Sequence, residues 1–118
     1  MTYDPLIEVI DEPLSISTGT IHQLEALRVS EKFTDLPGTD TTAEQARLSD
    51  VFNDLIDRLL AGVMTNPSKH WVMSQFQPSL EAVRMEDTEG REHFGSHLER
   101  VMDILHIESS DGLLGFYL

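Results

Sequence analysis

Apolar positions in this chain recur mostly at spacings of three and four, the pattern of helices that bury one side. From Ser17 or Thr18 onward, Ile21, Leu24 and Leu27 share a face while His22, Gln23, Glu25 and Arg28 lie elsewhere. That face extends to about Lys32 or Phe33. The clearest helical segment opens at Thr41-Thr42-Ala43-Glu44, a capping box in which Thr41 accepts from first-turn amides and Glu44 reaches back. Leu48, Val51, Phe52, Leu55, Ile56, Leu59, Leu60 and Val63 follow as a broad stripe, fit for a helix packed centrally among others. Asp50, Asn53, Asp54, Asp57 and Arg58 occupy the other side, with Asp54 and Arg58 in favourable i,i+4 order. Asn66-Pro67 ends the segment near Gly62 or Thr65.

Ser68 to Gln75 predicts a third helix carrying Trp71, Val72 and Phe76, interrupted by Pro78 with a kink or break at Gln77. A short helix from Pro78 to Met85 would follow. Asp87-Thr88 caps the last long helix, whose stripe is Phe94, Leu98, Val101, Met102 and Leu105. Gly95, in the middle of that stripe, suggests a close approach by another helix. Between these elements, Thr34–Thr41 reads as a loop around Pro37-Gly38, and Glu108–Gly112 as a turn. Leu6–Ile10 fits either a short strand or a helical turn started by Asp4 and Pro5. The fold class is therefore all-α: one domain over residues 1–118, a bundle of four to five helices with a short strand or extra helix at its N-terminal end.

Charge changes the picture more than composition does. At 40% hydrophobic and 25% charged the chain of 118 residues is an ordinary globular one, so disorder and low complexity are excluded. Its 21 acids stand against 8 bases, a net charge of −13. The bases are scattered, nearly all with an acid within a turn, so no patch suits nucleic acid or an anionic membrane. A basic protein partner would instead be attracted and its encounter accelerated. The plainer alternative is that the acids merely keep the protein dissolved. Cysteine is absent, which removes disulfides, thiolate zinc sites and a Cys nucleophile. The N-terminal residues lack a basic stretch before an apolar core, so no export signal is read and a bacterial cytoplasm is the expectation.

Candidate chemistry is sparse. His93 and His97 lie one helical turn apart and could both face a metal ion, but the zinc-protease pattern fails because Phe94 stands where its glutamate belongs. A third ligand cannot be placed from sequence, so the two histidines are weak metal candidates and no cofactor is expected. No Gly-x-Ser-x-Gly elbow, phosphate-binding glycine loop or dinucleotide fingerprint occurs. Nothing in the chain argues for an enzyme.

The C-terminal third carries one distinctive string: Asp87-Thr88-Glu89-Gly90-Arg91-Glu92, then Val101-Met102-Asp103-Ile104-Leu105, then Ile107-Glu108-Ser109-Ser110-Asp111-Gly112-Leu113-Leu114. It resembles the end of a small family of bacterial helical domains of unknown function. The resemblance implies a domain whose tail docks on the bundle, with Ser110 or Asp111 capping a final turn and Leu113, Leu114 and Phe116 in the core. No catalytic residue is implied.

These readings lead to a small acidic protein-binding domain, of the inhibitor or immunity type, that neutralises a basic toxin or enzyme. The expected contact surface combines Asp50, Asp54 and Asp57 with Glu89 and Glu92. The alternatives are a structural module that self-associates through the apolar tail Leu113–Leu118, and a metal-dependent protein using His93 and His97.

Overall fold

Side chains just outside each helix set where it begins. Ser17 Oγ accepts from the Thr20 amide while Thr20 Oγ1 accepts from the Ser17 amide, opening α1 (Thr18–Val29) with a capping box. Ser68 Oγ accepts from the Trp71 amide at the head of α3 (Lys69–Ala82), and Asp87 Oδ1 from the Gly90 amide at the head of α4 (Thr88–Ile104). Each such cap stabilises its helix by about 1 kcal/mol. Asp4 caps a single 3-10 turn over Pro5–Glu8, so the ambiguous N-terminal run is a helical turn and not a strand. The computed structural model describes residues 3–34 and 41–118, with only the backbone described at Thr41. The Thr41 cap and most of the Thr34–Thr41 loop lie outside the described residues.

α2 (Thr41–Gly62) is the central element, and its contacts fix the topology. Arg28 meets Asp57 and Gln45 meets Lys32, so α1 runs against α2. Arg58 meets Gln75 and Ser79, so α3 runs against α2 on another side. Phe52 packs on Phe94 and Glu44 lies against Gly90, which sets α4 parallel to α2. The result is the all-α bundle that the periodicity predicts, four long helices running up and down and a short α5 (Leu113–Tyr117). Phe52, Phe76, Phe94, Leu24, Leu55 and Leu98 are fully enclosed at its centre.

Pro78 does not divide α3. The helix continues through it to Ala82, contrary to the break that the sequence predicts. Pro78 is exposed, so its ring sits where the carbonyl that loses an amide partner can be hydrated. One turn away, Arg58 Nη2 donates to Gln75 O at 2.9 Å and to Ser79 Oγ at 2.8 Å, spanning the weak point from α2. The same geometry removes the Asp54–Arg58 pair expected from spacing. A surface pair on one helix contributes only a few tenths of a kcal/mol, and the half-buried site between two helices offers Arg58 two bonds instead.

An N-terminal strap closes the start of α3. The Lys69 amide donates to Glu12 O at 2.9 Å and the His70 amide to Asp11 Oδ1 at 2.9 Å. With Ser68 serving Trp71, all three first-turn amides of α3 have acceptors, which a helix cannot provide for itself. At the opposite end of the chain, Asp111 and Gly112 both take positive φ, and this turn brings Asp111 to Lys69 Nζ at 2.7 Å. Asp111 also accepts from the Ile10 amide at 2.8 Å. Lys69, 3% exposed, thus sits where the strap, α3 and the C-terminal turn meet.

Two close approaches explain glycines inside helices. A Cβ at Gly62 would stand 2.5 Å from the Trp71 ring, which packs against the end of α2. A Cβ at Gly95 would meet Leu118 Cδ1 at 2.7 Å. The neighbour anticipated for Gly95 is therefore the residue that follows α5. In that tail Leu113 is buried and Leu114 half-buried, but Phe116 is 49% exposed and not in the core. Ser110 Oγ accepts from the Leu114 amide as a cap would, while Asp111 is committed to Lys69 and Ile10.

Candidate functional site

Asp50, Asp54 and Asp57 all lie exposed along the side of α2 away from its buried stripe. Arg28 holds Asp57 in a two-point grip, Nε to Oδ1 at 2.9 Å and Nη2 to Oδ2 at 3.4 Å. Asp50 and Asp54 form no ion pair among the described residues. Glu89 and Glu92 are exposed in the first two turns of α4. The two helices meet through Phe52 and Phe94, with ring centroids 6.0 Å apart. With 3.6 residues per turn, both acid sets lie on sides turned away from that contact. The three aspartates form one row and the two glutamates a separate pair, and no contact joins the groups among the described residues.

A further acidic group lies where the first turns of α2 and α4 meet. Glu44 faces Asp87 and Glu86 there, and its carboxyl is pushed above the ordinary glutamate value, first by burial and then by those two neighbours, against the opposing charge of Arg47. Arg47 pairs with Glu86 at 3.0 Å. A Cβ at Gly90 would stand 2.6 Å from Glu44 Oε1, so this glycine gives the carboxyl its place. Nothing local in the sequence signals the group, because a tertiary contact between two helix starts creates it.

His93 and His97 border a cleft of about 230 Å³, together with Glu31, Lys32, Phe33, Thr34 and Arg100. The cleft exists because the chain leaves α1 in a left-handed step at Phe33, φ 61°. Phe33 then stacks on the His97 ring at 4.2 Å, and Phe52 meets that ring edge-on at 5.5 Å. Lys32, 4% exposed, turns back to cap α1: its Nζ donates to Leu27 O at 3.0 Å, Arg28 O at 3.0 Å and Ser30 O at 2.6 Å. Burial lowers the Lys32 pKa, with the charge of Arg28 adding to the effect.

His97 Nδ1 bonds the His93 carbonyl at 2.8 Å, which leaves Nε2 as its remaining ring nitrogen. Burial is the largest influence on His97 and lowers its pKa. The His93 carbonyl opposes that shift, and the charges of Arg100, His93 and Lys32 reinforce it. A divalent cation would meet this positive surrounding unfavourably, and among the described residues no three potential ligands gather to hold one. Of the α4 residues of the cleft, His93 and His97 were legible as a pair one helical turn apart. Lys32 and Phe33 were not, because the backbone step that places them leaves no periodic mark.

The surface of the tail is apolar. Phe116 lies against Tyr3 with ring centroids 5.6 Å apart, and both rings are 49% exposed. Behind them Gln77 Nε2 donates to the Tyr117 hydroxyl at 3.1 Å and to Asp4 Oδ1 at 2.9 Å, fixing tail and strap to α3. Among the described residues, no helix is long and apolar enough to cross a membrane.

Neither a curated protein nor a solved structure matches the chain. A family model, described as a domain of unknown function (DUF4844), matches residues 15–118. The match spans nearly the whole bundle, well beyond the C-terminal third in which the sequence resemblance was found. α1 to α5 all fall within it, and only the strap and its 3-10 turn lie outside. The chain belongs to the DUF4844 family.

Proposed function

We propose that this protein is an acidic protein-binding domain whose partner is a basic protein, with the inhibitor or immunity type as the specific form and the bacterial cytoplasm as its setting. The observation that carries the reading is the row on α2: three exposed aspartates in register, with Asp57 alone of the three in an ion pair among the described residues, on a chain of net charge −13. A rigid helix presents such a row at fixed spacing, and its field would steer a cationic partner into contact. Glu89 and Glu92 provide a second anionic point on α4. The scaffold offers no enzyme motif that would assign the row to catalysis, and its field opposes binding of nucleic acid or an anionic membrane.

The test starts from affinity capture of a partner, followed by reconstitution with that partner purified. Reversing Asp50, Asp54 and Asp57 to Lys should slow association by tenfold or more at low salt and flatten its dependence on ionic strength. Association that keeps its rate and its salt dependence in the triple variant would remove this surface from the reading.

A second reading, self-association through the tail, is favoured by the exposed Phe116–Tyr3 pair. Light scattering should then show an oligomer in the parent protein and a monomer in Phe116→Ser. A monomeric parent at every concentration tested ends this reading.

A further inference from the structure

The eight Lys and Arg residues are few against 21 acids, and most of the described ones are tied up. Arg28, Arg47, Lys69 and Arg84 hold carboxylates, while Arg58 and Arg91 hold carbonyl or hydroxyl oxygens. Arg100 is different. Its guanidinium makes no hydrogen bond or ion pair among the described residues, and it borders the same cleft as His93, His97 and Lys32. Two bases and two histidines therefore converge on one small cleft of a strongly acidic protein.

We propose that this cleft is a binding site for a small oxyanion, of the phosphate or carboxylate kind. Each wall has a role in that chemistry. Arg100 offers a planar fork of donors, the geometry that matches two oxygens of such an anion. His97 has Nδ1 engaged by the His93 carbonyl, so when protonated it has one N–H, at Nε2, left for a ligand. His93, one turn earlier on α4, adds a second imidazole. Lys32 contributes charge alone, since all three of its N–H bonds already go to the end of α1. Phe33 stacks on the His97 ring and Phe52 meets it edge-on, so the two fix its orientation. A volume of about 230 Å³ admits a small ion or metabolite and is too small for a folded partner.

Three elements face His97: the connection after α1 brings Glu31 and Lys32, α4 brings His93 and Arg100, and α2 brings the uncharged Phe52. Glu31 is the one carboxylate that borders the cleft among the described residues, and it competes with the ligand. Burial is the first cause of the lowered His97 pKa, and the charges of Arg100, His93 and Lys32 add to it; a bound oxyanion would offset that added part, so its arrival raises the pKa of the ring. This inference is independent of the acidic-partner reading, and either can fail alone.

The experiment is an NMR titration of the full chain with inorganic phosphate, and separately with acetate, at an ionic strength held constant with sodium chloride. His22, His70 and His106, exposed on other parts of the molecule, serve as internal references. The expected result is a saturable shift of the His97 and His93 ring signals with a Kd of order 1 mM, and a rise in the His97 pKa at saturation. Saturation by phosphate but not acetate would assign the site to phosphate groups, and the reverse to carboxylates. Arg100→Gln, at an exposed position whose guanidinium makes no hydrogen bond or ion pair among the described residues, should weaken binding about tenfold, and Glu31→Gln should tighten it. The proposal is overturned if all five histidines shift together without saturation, or if Arg100→Gln titrates like the parent.

Discussion

Phe52→Ala should cost about 3–5 kcal/mol, a large share of the 5–15 kcal/mol typical of a whole domain. The phenyl ring is fully buried on the central helix. It meets Phe33 at 6.2 Å, Phe94 at 6.0 Å and His97 at 5.5 Å, so it joins three separate segments of chain. Truncation removes its transfer free energy and leaves a cavity that its packed neighbours, two of them fixed on α4, cannot collapse to fill. The measurement is urea unfolding followed by circular dichroism, with Met85→Ala as the reference. Met85 is 93% exposed, and its replacement should change stability by less than about 0.5 kcal/mol. Equal effects from the two variants would mean that the phenylalanine cluster is not the centre of the fold.

Asp111→Asn should destabilise the protein by about 3 kcal/mol, an effect that depends on pH. Asparagine tolerates the left-handed backbone at this position, φ 53°, and keeps an oxygen for the Ile10 amide. What it removes is the charge opposite Lys69, whose ammonium is then enclosed with no counter-ion. The double variant with Lys69→Met should recover part of the loss, since an unpaired buried charge is worse than none.

The hydrogen bond from Lys69, the Ile10 amide and the Lys69 charge hold the Asp111 carboxyl below the ordinary aspartate value. A depressed pKa in the folded state gives stability that is complete above the unfolded value, near pH 4, and is lost as pH falls through the folded value. The difference between parent and Asp111→Asn should therefore be constant near neutrality and shrink below about pH 4. Chemical denaturation from pH 3 to 7 would show this, and a difference that persists unchanged at pH 3 would contradict it.

How far the fold was legible depends on the kind of signal each part carries. α2 was plain because its stripe repeats over many turns and Asn66-Pro67 stops it. The start of α4 was plain because Asp87 acts on its own first turn. α3 was misread at Pro78, where a local rule was outweighed by exposure of the ring and by Arg58 reaching across from α2. Arg58 itself was misassigned to Asp54 for the same reason, since spacing along one helix is silent about the carbonyls of the next. In the candidate sites, the α2 row and the α4 histidines followed from periodicity. Lys32, Phe33 and Glu44 did not, because a left-handed step and a contact between two helix starts brought them into place.

The junction at Lys69 also bears on how the chain reaches this state. Ile10 and Asp111, which share one carboxylate contact, are 101 positions apart. The hairpins of α1 with α2 and of α2 with α3 close over far shorter loops, and the entropy cost of closure grows with loop length. Knitting the two extremities together is thus the late event of folding, and the natural first opening is a release of strap and tail from a helical body that stays intact.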